Sequence, residues 1–184
     1  MSERNPWRTL STRVVYENPW IKVREDEVLR PDGQPGIYGV VDTRVATGVV
    51  ALTPSREVYL VGQWRYPFDA YSWEIVEGGA DEGEDPDDAV KRELREEAGL
   101  VAARWRPLGG EVWLSNCFSS EVARLYVAEE LTEVPAEPDG TEELVVAKVP
   151  LAEAVERVAS GEIKDAMSVI ALMRAWALVQ GNLL

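Results

Sequence analysis

The first half of the chain alternates apolar and polar positions in short runs, and these runs predict strands. Residues 13–16, 21–29 and 36–41 read as extended segments, with a turn at Pro31-Asp32-Gly33. Residues 47–52 and 58–63 are rich in β-branched side chains and are joined by Thr53-Pro54-Ser55-Arg56, which predicts a hairpin. Residues 71–76 form another short strand. The pattern then changes at Asp85-Pro86-Asp87-Asp88, a strong helix start with Asp85 as N-cap, Pro86 at the first helical position and two acids suited to the helix dipole. Gly99 is the expected stop after Ala98. Further on, residues 105–114 and 122–128 read as strands, 131–141 as a Pro- and acid-rich loop, and 144–149 as a last strand. Helices follow over 151–159 and 164–179. The last is apolar on nearly every side (Met167, Val169, Ile170, Leu172, Met173, Trp176, Leu178), so it belongs in a core or a subunit interface. Strands on both sides of a central helix, with helices late, predict an α/β layer fold with a mixed sheet. The division expected is a small β-rich segment over 1–43 and a main domain over 44–184.

Composition narrows the chemistry. The 184 residues suit one domain of ordinary size with a small appendage. No histidine is present, which excludes Ser-His-Asp and Cys-His catalysis and ordinary zinc-hydrolase sites, so any metal would be held by oxygen ligands. The single cysteine, Cys117, cannot form an intrachain disulfide, and the opening MSERNPW lacks the basic-then-apolar run of a signal peptide. A cytoplasmic protein is expected, and no apolar stretch is long enough to predict a membrane span.

Net charge is −14, which argues against a broad nucleic-acid-binding face. Its distribution is more telling. Residues 74–100 hold 11 acids and 3 bases, and residues 129–143 hold 7 acids and no base; the remainder is nearly neutral. Two short stretches therefore need carboxylates for a local reason.

In the first stretch Gly78 is followed after five residues by Glu84, and after seven more by Arg92-Glu93-Leu94-Arg95-Glu96-Glu97-Ala98-Gly99-Leu100. At about 100° per residue, Glu93, Glu96 and Glu97 share one helix face, where like charges repel. A hard divalent cation resolves that repulsion, because Mg²⁺ and Mn²⁺ take carboxylate oxygens. Val90 and Leu94, one turn apart, point away from the acids and predict the face that packs on a sheet. Arg92 is placed to orient a glutamate, and Gly78-Gly79 lets backbone come close to the helix.

Residues 78–100 resemble a complete Nudix box: Gly, five residues, Glu, seven residues, Arg-Glu-apolar, one residue, Glu-Glu, one residue, Gly-apolar, with every specified position present. The resemblance implies an α/β/α sandwich that hydrolyses a pyrophosphate linked to a nucleoside, with Mg²⁺ or Mn²⁺ as cofactor. It implies Glu93 and Glu97 as principal metal ligands, Glu96 as a ligand or close supporting carboxylate, Glu84 as a supporting acid, and Glu77 as a backbone-carbonyl ligand. Arg92 counts with the catalytic residues.

Gln63-Trp64-Arg65-Tyr66 followed by Trp73-Glu74-Ile75-Val76-Glu77-Gly78 is similar to the segment preceding the box in ADP-ribose and nucleotide-sugar pyrophosphatases. By that similarity Arg65 faces the substrate phosphates, where its planar fork is apt. Glu74, Trp64, Gly78, Gly79 and Glu121 complete the expected substrate-binding set. Trp64, Tyr66, Phe68, Tyr71 and Trp73 are read chiefly as core, with one of them free to stack on a base. Residues 161–166, followed by an apolar helix, also resemble this subgroup. Where the subgroup carries a Ser-Pro-Gly-like turn this chain reads Leu114-Ser115-Asn116-Cys117-Phe118, which leaves room for nucleoside diphosphate sugars other than ADP-ribose.

The second acidic stretch falls where the subgroup has a loop that supplies a general base, which points to Glu142 first and Glu143 second. The subgroup is commonly dimeric through its N-terminal strands, so a homodimer is expected. The expected activity is metal-dependent cleavage of ADP-ribose or a related nucleotide sugar to a nucleoside monophosphate and a sugar phosphate. The alternatives are a dinucleoside polyphosphate or nucleoside triphosphate as substrate, or a non-catalytic nucleotide-sugar sensor.

Overall fold

A computed structural model describes residues 4–136 and 143–181. These divide into two compact units, one comprising residues 4–44 with 113–122, the other residues 45–112 with the described residues of 123–181.

The first unit is an antiparallel meander of β1 (Arg8–Glu17), β2 (Lys22–Leu29) and β3 (Pro35–Asp42), in that order. β1 is longer than the run at 13–16 predicts, because pairing with β2 along its full length carries it from Arg8 to Glu17, with register shifts between Thr9 and Ser11 and between Val14 and Tyr16. All ten residues of β1 are exposed. On β2, Asp26 is buried; its neighbour Arg24 donates from Nη1 to it and from Nε to Asp42, 2.9 Å away. The segment 113–122 joins through Ser120, whose hydroxyl donates to Asp42 at 2.8 Å.

The second unit contains β4 (Ala46–Ala51), β5 (Glu57–Arg65), a 3₁₀ turn at Tyr66–Phe68, β6 (Ala70–Glu74), β7 (Val76–Gly79), α1 (Pro86–Ala98) and β8 (Leu100–Pro107). The two-residue β9 (Val112–Trp113) precedes β10 (Val122–Glu133), β11 (Val145–Pro150), α2 (Leu151–Ala159) and α3 (Ala166–Val179). A mixed sheet runs β7-β4-β10-β8, with β4 and β10 parallel and the outer pairs antiparallel; a second, antiparallel sheet runs β11-β5-β6. β4 is buried on both faces. Val49 and Ala51, with Val61, Val76, Tyr126 and Ala128, form the core under Val90 and Leu94 of α1. On the other face, a Cβ at Gly48 would lie 2.9 Å from Ile75, 3.0 Å from Met167 of α3 and 3.2 Å from Leu125, so only glycine admits that close packing. Helices on opposite faces of β4 make the expected α/β/α arrangement.

α1 has the ends its sequence specifies. Asp85 accepts from the Asp87 N–H at 2.8 Å, and Gly99 takes the left-handed conformation at φ 61°. Leu94 is fully buried under the sheet, so Leu94→Ala is expected to cost about 2–5 kcal/mol, the range for opening a core cavity. A urea titration of the variant checks this.

Three element boundaries differ from the sequence reading. The strand expected at 105–114 begins at Leu100, because Gly99 turns the chain straight from helix into a strand paired with Glu133. β10 runs on through residues 131–133, where ladder bonds to β8 override an acidic, loop-like composition. The strand expected at 71–76 is two strands: Glu74 pairs with Val61 in one sheet and Val76 with Val49 in the other, and the chain changes sheets at Ile75. The last helix buries Met167, Ala171, Leu172 and Ala175, while Met173 on its outer side is exposed.

Candidate active site

The site is built where the end of β5, the β6–β7 junction and the inner face of α1 meet in the second unit. On α1, Arg92 is the hub. Its Nε and Nη2 donate to the two oxygens of Glu84 at 3.0 and 2.9 Å, and Nη1 donates to Glu93 at 2.7 Å and Glu96 at 3.0 Å. Nη2 also donates to the Gly79 carbonyl at 3.2 Å, tying the helix to β7. One guanidinium thus holds three carboxylates, where the sequence assigned it one. The hydrogen bond from Arg92, joined by the Asp81 N–H, keeps the Glu84 carboxyl below its ordinary range, and Arg92 is held above its own chiefly by Glu84.

Glu97 reaches the strand. It is only 5% exposed, and its Oε2 accepts from the Glu77 N–H at 3.4 Å, on the β7 side. Of the expected triplet, Glu93 and Glu96 meet Arg92, and Glu97 meets the Glu77 N–H of β7. Gly78 makes the approach possible, since a Cβ there would lie 2.2 Å from Cδ and Oε1 of Glu93. A Cβ at Gly79 would meet nothing within 4 Å.

Across from the helix, Arg65 is gripped by two acids. Its Nε donates to both oxygens of Glu74 at 2.9 and 3.0 Å, and Nη2 donates to Glu74 at 2.5 Å and to Glu77 at 2.8 Å. Gln63 Nε2 also donates to Glu74, at 3.3 Å. Burial works against the Arg65 charge, but Glu74, Glu77 and Asp165 outweigh it and hold the guanidinium above its ordinary range. Glu74, expected among the substrate contacts, is 2% exposed and fully engaged with Arg65 and Gln63, so it positions Arg65. Glu77 is pushed well above the usual carboxylate range, first by burial, then by the charges of Asp165 and Glu74, with Arg65 opposing. Its Oε1 accepts from Arg65, while its buried Oε2 accepts from no donor.

Strand alternation corrects the aromatic reading. Gln63 and Arg65 share the face of β5 opposite to Trp64, which pairs across with Tyr71 on β6. Trp64 is therefore turned from the Arg65 face. Trp64, Tyr66, Phe68 and Tyr71 are all exposed, not core: Trp64 and its cross-strand partner Tyr71 share an open face of the sheet, and Tyr66 and Phe68 lie in the 3₁₀ turn between β5 and β6. Tyr71 and Trp73 pack edge to face, with centroids 5.8 Å apart.

Glu121 belongs to the 113–122 segment of the first unit, where its N–H donates to the Ser119 hydroxyl at 3.0 Å. Glu142 lies outside the described residues; Glu143 is described and exposed. Asp165, Ser168 and Gln63 were missed as site residues. For Asp165 the N-cap position was a signal, but it announces a helix end and not a neighbour.

The donor set consists only of carboxylates and nearby backbone carbonyls, which fits Mg²⁺ or Mn²⁺. Glu93, pressed against the backbone of Gly78 beside the Glu77 carbonyl, fits the same group. Among the described residues no three such side chains converge as they stand, since Arg92 occupies the space between Glu84, Glu93 and Glu96.

Comparison with known proteins agrees with this architecture. The family model for the NUDIX domain matches residues 42–169, and that for the nucleoside diphosphate sugar hydrolase N-terminal domain matches residues 7–41. The chain belongs to the Nudix hydrolase family. It is 30% identical over 178 residues to an ADP-ribose pyrophosphatase of Mycobacterium tuberculosis, covering 95% of this chain and 86% of the relative. An ADP-ribose pyrophosphatase of Bacillus subtilis is 29% identical over 167 residues, and a methanol dehydrogenase activator of Bacillus methanolicus 30% over 172, each covering 90% of both chains. A crystal structure described as an ADP compounds hydrolase shares the fold with a TM-score of 0.84 at 22% identity, each chain covered in full. No helix among the described residues is long and apolar enough to cross a membrane.

Proposed function

We propose that this chain hydrolyses the pyrophosphate bond of ADP-ribose or a related nucleoside diphosphate sugar, releasing a nucleoside monophosphate and a sugar phosphate. One observation carries the reading: Glu77 joins the two halves of the site, its carboxyl holding Arg65 and its N–H meeting Glu97 of α1. A cation suited to phosphate oxygens is thereby fixed beside the carboxylate helix. The full-length similarity to ADP-ribose pyrophosphatases supports the substrate class.

In this reading Arg65, preset by Glu74 and Glu77, takes a diphosphate oxygen without first having to be ordered. Arg92 keeps Glu84, Glu93 and Glu96 in place against their mutual repulsion. Glu93, Glu97 and Glu96, with Glu84 in support and the Glu77 carbonyl, would hold Mg²⁺ or Mn²⁺. When bound, the cation neutralises phosphate charge and lowers the pKa of the attacking water. Glu142, with Glu143 as second choice, removes the proton of that water. The β-rich segment over 1–43 forms a homodimer, which its exposed β1 supports, and the protein works in the cytoplasm.

A product panel tests the reading. With Mg²⁺ or Mn²⁺, ADP-ribose is expected to yield AMP and ribose 5-phosphate, and excess EDTA to stop turnover. Release of inorganic pyrophosphate from nucleoside triphosphates, with nucleotide sugars untouched, would move the chain to a different Nudix activity.

A further inference from the structure

The change of sheets at Ile75 leaves a buried backbone group to be satisfied. Glu74 ends in one sheet and Val76 begins in the other, so the Ile75 N–H, in a residue 1% exposed, belongs to neither ladder. An unpaired buried N–H is costly. Ser168, wholly buried in the first turn of α3, supplies the acceptor: its Oγ receives the Ile75 N–H at 2.9 Å. Ser168 is itself anchored, its N–H donating to Oδ2 of Asp165 at 2.7 Å. Asp165 in turn adds to the negative charge around Glu77 and Arg65.

These contacts converge on a short piece of backbone. Residues 74–78 carry the acid that grips Arg65, the acid that shares it, the N–H that meets Glu97 and the glycine against Glu93. A hydroxyl among Met167, Ala171 and Leu172 serves no packing purpose. We propose that Ser168, backed by Asp165, is a positioning residue for the active site: by holding Ile75 from the far face of the sheet it sets the aim of Arg65.

The inference rests on the proposed pyrophosphatase reading for its kinetic consequence and not for its structural one. In Ser168→Ala the KM for ADP-ribose is expected to rise about tenfold while kcat falls less than threefold, the pattern of lost ground-state and transition-state binding alike. The Arg65 Nε–H signal in ¹⁵N NMR spectra, held by Glu74, is expected to exchange with water at least about tenfold faster, as a loosened hydrogen bond must. Ala175→Gly, two turns along the same helix, controls for general loosening of α3. It is expected to lower thermal stability comparably while leaving KM and the Arg65 signal unchanged.

The inference is overturned if Ser168→Ala leaves both KM and the Arg65 signal as in wild type, or if Ala175→Gly shifts them equally. Should Ser168→Ala fail to fold, Ser168→Cys keeps the volume with a weaker acceptor and takes the same measurements. If wild type cleaves no nucleoside diphosphate sugar, the functional reading fails, and the Arg65 signal alone decides the positioning role.

Discussion

Glu97→Gln is expected to reduce kcat on the order of 10³-fold while leaving the protein folded. The rate loss follows from removing one preorganised charge at the reacting centre. The fold should survive because the amide has nearly the shape of the carboxylate and keeps an oxygen to accept the Glu77 N–H, 3.4 Å away. Glu93→Gln should lose turnover to a similar degree, and because it gives up an ion pair with Arg92 at 2.7 Å its stability should fall. Steady-state kinetics and thermal melts on the two variants separate these effects. Near-normal turnover in either variant would sink the site assignment.

Gly78→Ala is the second change expected to be severe. The new Cβ would stand 2.2 Å from the Glu93 carboxyl carbon, a separation no pair of atoms tolerates, and the group that can yield is the end of a flexible side chain. The strand should therefore keep its place and Glu93 should swing away. A loss of kcat on the order of 10²-fold, with little change in thermal stability, is expected from misplacing a reacting group by about an ångström or more. Gly79→Ala, whose Cβ would meet nothing within 4 Å, should behave as wild type in the same assays. If both variants act alike, backbone flexibility and not the close approach explains the glycine pair.

The helix that carries the acids was legible residue by residue. Asp85 and Gly99 marked its ends, and Val90 and Leu94 its buried face; all four signals act within a turn or two of the chain. The strands were legible as runs but not as partners. Nothing in residues 71–76 announces that Glu74 pairs with Val61 while Val76 pairs with Val49. Nor can alternation in 63–66 decide which face of β5 is the inner one: the sequence puts Trp64 in one substrate-binding set with Arg65, whereas the pleat puts them on opposite sides. The aromatics of that segment read as core because composition reports hydrophobicity and not position; on the open face of the sheet and in the turn between β5 and β6, Trp64, Tyr66, Phe68 and Tyr71 are exposed.

The sequence by itself determined that the chain carries a capped, acid-faced helix with an oxygen-only ligand chemistry, since no histidine exists to offer another. Its spacing was enough to place the chain in the Nudix family, because those constraints lie within 23 consecutive residues. Only the tertiary structure decided how the acids meet Arg92 and β7, that Glu74 serves Arg65, and that Ser168 reaches across 93 positions to Ile75. The physical reason is range. Caps and helix faces follow from neighbours along the chain, whereas a gripped guanidinium and a satisfied buried N–H depend on which strands pair and which helix covers them.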